Sequence, residues 1–158
     1  MRAIVFSDSH GNYDVLEKIV ERHQKDADLF IHLGDGEREM EYIRYAYPEK
    51  KFLFVAGNCD YGSDAPDYDV ADFAGKKIFL THGWRFGVKA SLDHIKDEAR
   101  KFKADVLLFG HTHRAETDYE DGIYIMNPGS CDHPRQGGPS YGIVDITEAG
   151  IVLNIVYL

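Results

Sequence analysis

Five times along this chain a short apolar, often β-branched run stops at a loop carrying aspartate, asparagine or histidine. The runs are residues 3–6, 29–33, 52–56, 77–80 and 106–109. The loops after them read Ser7-Asp8-Ser9-His10-Gly11, Gly34-Asp35-Gly36, Gly57-Asn58-Cys59-Asp60, Thr81-His82-Gly83 and Gly110-His111-Thr112-His113. Continuous apolar runs of this length are strands buried on both faces. Strands covered on both faces need helices outside them, which restricts the chain to an α/β architecture. In open α/β sheets the carboxyl ends of the strands are where ligands bind.

Between the strands the periodicity changes. Leu16, Ile19, Val20 and His23 recur at helical spacing, and so do Leu92, Ile95, Ala99 and Phe102. A further helix is expected over residues 39–45, ending before Pro48 because a residue preceding proline disfavours helix. The last third reads differently. Residues 119–126 suggest a hairpin turning at Glu120-Asp121-Gly122, and 141–146 with 151–157 suggest another at Glu148-Ala149-Gly150. The expectation is one α/β domain over residues 1–158, with two packed sheets flanked by helices. The C-terminal strand would offer an edge for pairing with a second copy.

The net charge of −9 argues against duplex nucleic acid as a partner, since phosphate-backbone binding needs clustered Lys and Arg. A small phosphorylated substrate stays open, because bound cations reverse the local field. The opening apolar run is too short for a signal peptide or a membrane span. Two cysteines, Cys59 and Cys131, fit a reduced, cytoplasmic protein.

Asp8, His10, Asp35, Asn58, His82, His111 and His113 thus all follow strand ends. Carboxylate, imidazole and amide oxygen form a mixed N/O donor set that suits Mn, Fe, Zn, Co or Ni. A pair of such ions serves phosphoester hydrolysis. Asp35, between two glycines, is the natural carboxylate to bridge them. The other histidines, His23, His32, His94 and His133, read as surface or internally satisfied residues, with His133 able to edge the site. Arg38 and Arg135 read as surface cations, with phosphate contact as the sharper alternative. Asn127-Pro128-Gly129-Ser130 reads as a rigid turn packed under the metal loops.

Asp8-x-His10, Gly34-Asp35, Gly57-Asn58, His82 and Gly110-His111-x-His113 together resemble the calcineurin-like metallophosphoesterase superfamily. The resemblance spans essentially the whole chain and is closest to a small bacterial and archaeal phosphodiesterase branch related to a retromer scaffold subunit. It implies a four-layer sandwich of two mixed sheets between helices. It also implies two divalent ions per chain, manganese first, with Ni, Zn, Fe, Co or Mg as alternatives. Asp8, His10, Asp35 and His113 would hold one ion; Asp35, Asn58, His82 and His111 the other. A hydroxide between the ions would attack a small phosphodiester, nucleotide-like esters included. Asn58, Cys59 and His82 would take part in catalysis.

Two departures bear on the reaction. Many superfamily members carry histidine where this chain has Cys59, and familiar phosphatases continue Gly-Asp with a second aspartate that Gly36-Glu37-Arg38 does not supply. Both favour diesters or activated esters over monoesters, and leave Cys59 either a proton donor or a small packing residue. Trp84 stands where relatives often have histidine and would stack on an aromatic leaving group. The Gly11-Asn12 backbone, opening a helix, would hold a phosphate oxygen. The competing readings are a scaffold of the same fold and a phosphomonoesterase.

Overall fold

A computed structural model describes the whole chain, residues 1–158. The first half alternates strand and helix: β1 (Arg2–Phe6), α1 (Tyr13–His23), β2 (Leu29–His32), α2 (Glu37–Ala46) and β3 (Phe52–Phe54). A hairpin of β4 (Tyr68–Phe73) and β5 (Lys76–Thr81) follows. A 3-10 turn at Trp84–Phe86 then leads to α3 (Asp93–Lys101) and β6 (Val106–Phe109). Two hairpins end the chain, β7 (Ala115–Glu120) with β8 (Ile123–Pro128), and β9 (Ser140–Thr147) with β10 (Gly150–Tyr157).

The strands form two five-stranded mixed sheets, ordered β10-β9-β1-β2-β3 and β4-β5-β6-β8-β7. Strands β1, β2 and β3 run parallel, as do β5, β6 and β8, so their carboxyl ends share one end of each sheet. Alternation within each strand builds the layers. Ala3 and Val5 of β1 meet Ile78, Leu80, Val106 and Leu108 of the second sheet in a common core. Ile4 and Phe6 point the other way, against Leu16, Ile19 and Met40 of α1 and α2. Leu107 and Phe109 pack likewise on Ile95 and Ala99 of α3. The result is a four-layer α/β sandwich, helices outside and sheets inside. Burying one such Leu or Ile side chain is worth about 1.5–3 kcal/mol.

Helix α1 starts at a defined point because the Asn12 side chain accepts the Val15 N–H at 3.2 Å, a cap worth ~1 kcal/mol. Three expectations need correction. Helix α2 begins at Glu37, two residues early. Strand β4 was not anticipated: Asp69 and Asp72 break its apolar run, a composition an edge strand tolerates because it pairs only with β5. Asn127 and Pro128 extend β8 rather than forming a turn, and β8 joins β6 in parallel although the final third reads as antiparallel. The C-terminal β10 is an edge strand, as expected.

Candidate metal centre

The loops after β1, β2, β3, β5 and β6 converge where the two sheets meet. Eight non-glycine residues have positive φ, and five of them are Asp8, His10, Asp35, His111 and His113, between 45° and 67°. Each such conformation costs on the order of 1–3 kcal/mol and persists only when its surroundings impose it. Here the imposition is visible: the Asp8 N–H donates to the Gly34 carbonyl and the His10 N–H to the Asp35 carbonyl, both at 3.0 Å. Glycines let the loops touch. A Cβ on Gly57 would fall 2.1 Å from Asp35 Oδ1, and one on Gly34 would fall 2.6 Å from Gly57 N. These glycines therefore make room for each other's loop.

Asp8 is fully buried. Its Oδ2 accepts from Ser7 Oγ at 2.5 Å and from the His111 N–H at 3.1 Å. Its Oδ1 has no hydrogen-bond partner although it is buried. Around that oxygen stand His113 Nε2 at 3.0 Å and His10 and His82 Nε2 at 3.9 Å each. Burial pushes the Asp8 carboxyl up, but the close His113 imidazole, His82 and the Ser7 hydroxyl outweigh it and hold the pKa at about 2. The nearby Asp8 carboxylate raises His113 in turn. A buried anionic oxygen without a donor, ringed by imidazole nitrogens, fits a cation.

Asp35 links this group to a second. Its Oδ1 accepts the Cys59 N–H at 2.7 Å. Its Oδ2 lies 3.8 Å from His10 Nε2 and 3.5 Å from His82 Nε2. His82 Nε2 is 3.2 Å from Asn58 Oδ1 and 3.1 Å from His111 Nδ1. All seven candidate ligands are thus brought together, in two groups that meet at Asp35. The donor triplets Asp8–His10–His113 and Asp8–Asp35–His82 are each compact enough to hold a metal ion.

Backbone carbonyls orient two of the imidazoles. His82 Nδ1 donates to the Leu33 carbonyl at 2.7 Å and His113 Nδ1 to that of His133 at 2.6 Å. With Nδ1 protonated, each Nε2 lone pair is free to face the centre, the arrangement typical of metal-ligating histidine. Burial, His82 and Lys89 push His111 down to about 4, so it is neutral and able to ligate.

The outer candidates fare differently. Gly11 N–H donates to Glu39 Oε1 at 2.6 Å and Asn12 N–H to the Ser9 carbonyl at 2.9 Å. The Asn12 amide donates to Asp132. The two backbone donors are thus engaged within the protein. Trp84 is exposed and carries the Arg85 guanidinium 4.6 Å over its ring; the cavities bordered by His10 are lined without it. Cys59 is exposed at the rim, beside His10 and Asp35. Desolvation and the Asp35 carboxylate push its thiol up to about 11, so it keeps its proton at neutral pH. His32 is buried and satisfied by Ser9 and Gly34, and His133 edges the site against His10.

Sequence reasoning missed Asp60. Its carboxylate accepts four backbone N–H groups, from Asp35, Gly36, Glu37 and Gly57, at 2.7–2.9 Å. It binds the loop after β2 to the loop after β3. The signal was an aspartate three residues after a loop glycine, a position suited to accepting backbone donors across a turn. Ser130 and Asn127 act similarly under the centre, donating to the Asp8 and Gly110 carbonyls.

Known proteins share this arrangement of sequence and fold. The chain is 35% identical to "Probable metallophosphoesterase YsnB" of Bacillus subtilis, over 92% of this chain and 85% of that one. It is 32% identical to "Phosphodiesterase YfcE" of Escherichia coli K12, over 92% and 88%. A Streptococcus pneumoniae structure described as a predicted phosphoesterase superposes with a TM-score of 0.88 at 28% identity, covering 99% of this chain and 88% of that one. The family model for the calcineurin-like phosphoesterase superfamily domain matches residues 1–149. The fold, the ligand loops and this match agree: the chain belongs to the calcineurin-like phosphoesterase superfamily.

Proposed function

We propose that this protein is a two-cation phosphodiesterase acting on small phosphodiesters. The observation that carries the reading is the buried, partnerless Asp8 Oδ1 facing three imidazole nitrogens. In a scaffold of the same fold that oxygen would be a cost with no return. Asp8, His10, Asp35 and His113 would hold one ion, and Asp35, Asn58, His82 and His111 the other, with Asp35 shared. The mixed N/O donors suit manganese, and also Zn, Fe, Co or Ni. When bound, such a pair supplies Lewis acidity that activates water and neutralises charge on the phosphate.

The chain's own groups do the rest. Leu33 and His133 carbonyls fix two imidazole tautomers, so no reorganisation is needed when substrate arrives. Asn58 turns its Oδ1 toward His82 and its Nδ2 toward Cys59 Sγ, 3.3 Å away, where the amide can also donate to a phosphate oxygen. Cys59, protonated and at the rim, can donate a proton to a departing oxygen. A thiol with so high a pKa is a weak acid, and the carboxylate beside it, Asp35, is the one shared between the proposed ions, while Asp60 is occupied by backbone donors. Esters whose leaving group needs little protonation are therefore the better substrates.

The test compares an aryl phosphodiester with its monoester after chelation and then with Mn, Ni, Zn or Mg restored. Metal-restored turnover is expected for the diester, exceeding that of the monoester by at least about tenfold. Equal turnover of the monoester would overturn the diester preference. No turnover of either, with metal bound, would overturn the hydrolase reading.

A further inference from the structure

Two cavities flank the centre, and their charges are opposite. One, of about 400 Å3, is lined by Asp35, Glu37, Glu39 and Asp60 with Arg38 as its one cation. The other, of about 580 Å3, is walled by Lys89, Arg114 and Arg135 against a single carboxylate, Glu116, with Thr112 and Val88. In a chain with 27 acidic and 18 basic residues, three cations around one cavity stand out from the surface average. None of the three takes part in an ion pair, as is true of most lysines and arginines here, so it is their convergence on one cavity that sets them apart. Unpaired cations that converge on a cavity favour an anion within it.

This cavity is joined to the metal centre by the chain itself. Thr112 lies between His111 and His113, and Arg114 follows His113 directly. The Arg135 N–H donates to the His113 carbonyl at 2.9 Å, and the Arg114 N–H to Thr112 Oγ1 at 3.2 Å. Thr112 Oγ1 is itself held by Asn127 Nδ2 at 3.0 Å. Both arginine backbones are thereby fixed to the ligand loop. Arg135 also borders the cavity that holds His10 and His113, so it stands between the reacting centre and the basic cavity.

We propose that Lys89, Arg114 and Arg135 form a subsite for a second phosphoryl group of the substrate, so that the preferred substrates are diesters carrying an additional phosphate. The proposal rests on the phosphodiesterase reading for its catalytic part alone. Glu116 partly offsets the mutual repulsion of these cations, and leaves the cavity with three cations to one carboxylate.

The test uses the full chain and its Lys89→Ala/Arg114→Gln double variant. Both side chains are exposed and outside the ligand set, so the fold is not at risk. Turnover of thymidine 5′-(p-nitrophenyl phosphate) is compared with that of its 3′-phosphorylated form, which shares the same scissile bond. The wild type should prefer the phosphorylated ester by at least about tenfold in kcat/KM. The double variant should lose that preference, its rate on the phosphorylated ester falling more than its rate on the simpler one. Separately, inorganic phosphate is titrated into the metal-free proteins, and wild type should bind it at least about tenfold tighter than the variant. Equal phosphate affinity in the two proteins, or a preference that survives in the variant, overturns the subsite. If neither ester turns over but phosphate binding still separates the two proteins, the subsite stands and the hydrolase reading falls.

Discussion

The first sheet delivers Asp8, His10, Asp35 and Asn58 to the centre, and the second delivers His82, His111 and His113. The two halves are held by opposite chemistry. Carboxylates from the first sheet are held by hydrogen-bond donors: the Ser7 hydroxyl and the His111 N–H serve Asp8, and the Cys59 amide serves Asp35. On the second sheet it is carbonyl acceptors that hold the imidazoles, as at His82 and His113. Each arrangement leaves one atom of the right kind facing inward, an anionic oxygen on one side and a neutral nitrogen on the other. The dependence is also unequal. His82 takes its orientation from Leu33 of the first sheet, while the main return contact is the His111 N–H on Asp8. Damage to the first sheet's loops should therefore reach the second sheet's ligands, and damage in the other direction should stay more local.

Asp35→Asn tests the hub of that comparison and should have the largest effect. The variant keeps the size of the side chain but loses the charge between His10 and His82. Both ions should be lost together, with kcat/KM on an aryl diester falling on the order of a thousandfold. Metal content by elemental analysis, measured beside the rate, decides it. Retention of two ions at near-normal turnover would remove Asp35 from its shared position and with it the two-group reading.

Asp60→Asn asks whether the first sheet's loops really govern both halves. Oδ1 takes the Gly36 and Glu37 N–H groups and Oδ2 those of Asp35 and Gly57. An amide can accept only at its oxygen, so two N–H groups lose their acceptor and the loops after β2 and β3 part. Metal affinity, measured by competition with a chelator, should weaken roughly 10–100-fold. Restoration by Asp60→Glu is not expected, because the longer side chain would have to enter the same four-donor cradle. An unchanged affinity would show that the loops hold each other without this carboxylate.

What the sequence made legible follows the same division. Ligand positions were readable because each follows a buried strand whose apolar run is unmistakable, as at Val106–Phe109. The layering was readable because β1 is apolar on both faces. Strand β4 was not, since Asp69 and Asp72 belong to an edge, where pairing with β5 decides the conformation. Nor was Asp60: a carboxylate that accepts four backbone donors from two separate loops is a tertiary fact, and its place three residues after Gly57 points only to the local donor. Gly11 and Asn12 show a related effect. Their donors look free at a helix start, but Glu39, on another helix, already satisfies Gly11.

The smallest expected effect concerns His32, which lies beneath the first sheet's ligand loops. Its Nδ1 accepts the Gly34 N–H at 3.0 Å, so its proton sits on Nε2 and is donated to Ser9 Oγ, which in turn donates to Glu39. A second proton would break the bond to Gly34, the residue that precedes Asp35. Burial accordingly pushes His32 from 6.5 down to about 4, against the pull of Asp60, Asp8 and Glu39. Between those values the unfolded chain binds a proton that the folded chain refuses, so stability rises with pH across that window and falls on acidification. The limit is about 1.4 kcal/mol per pH unit. His32→Gln can keep an acceptor for Gly34 without titrating. Chemical denaturation of both proteins from pH 7 to 4 should therefore give a shallower slope for the variant, whatever its stability at neutral pH. Parallel slopes would mean that His32 takes up its proton in the folded chain much as it does in the unfolded one, and that acid sensitivity arises elsewhere in the centre.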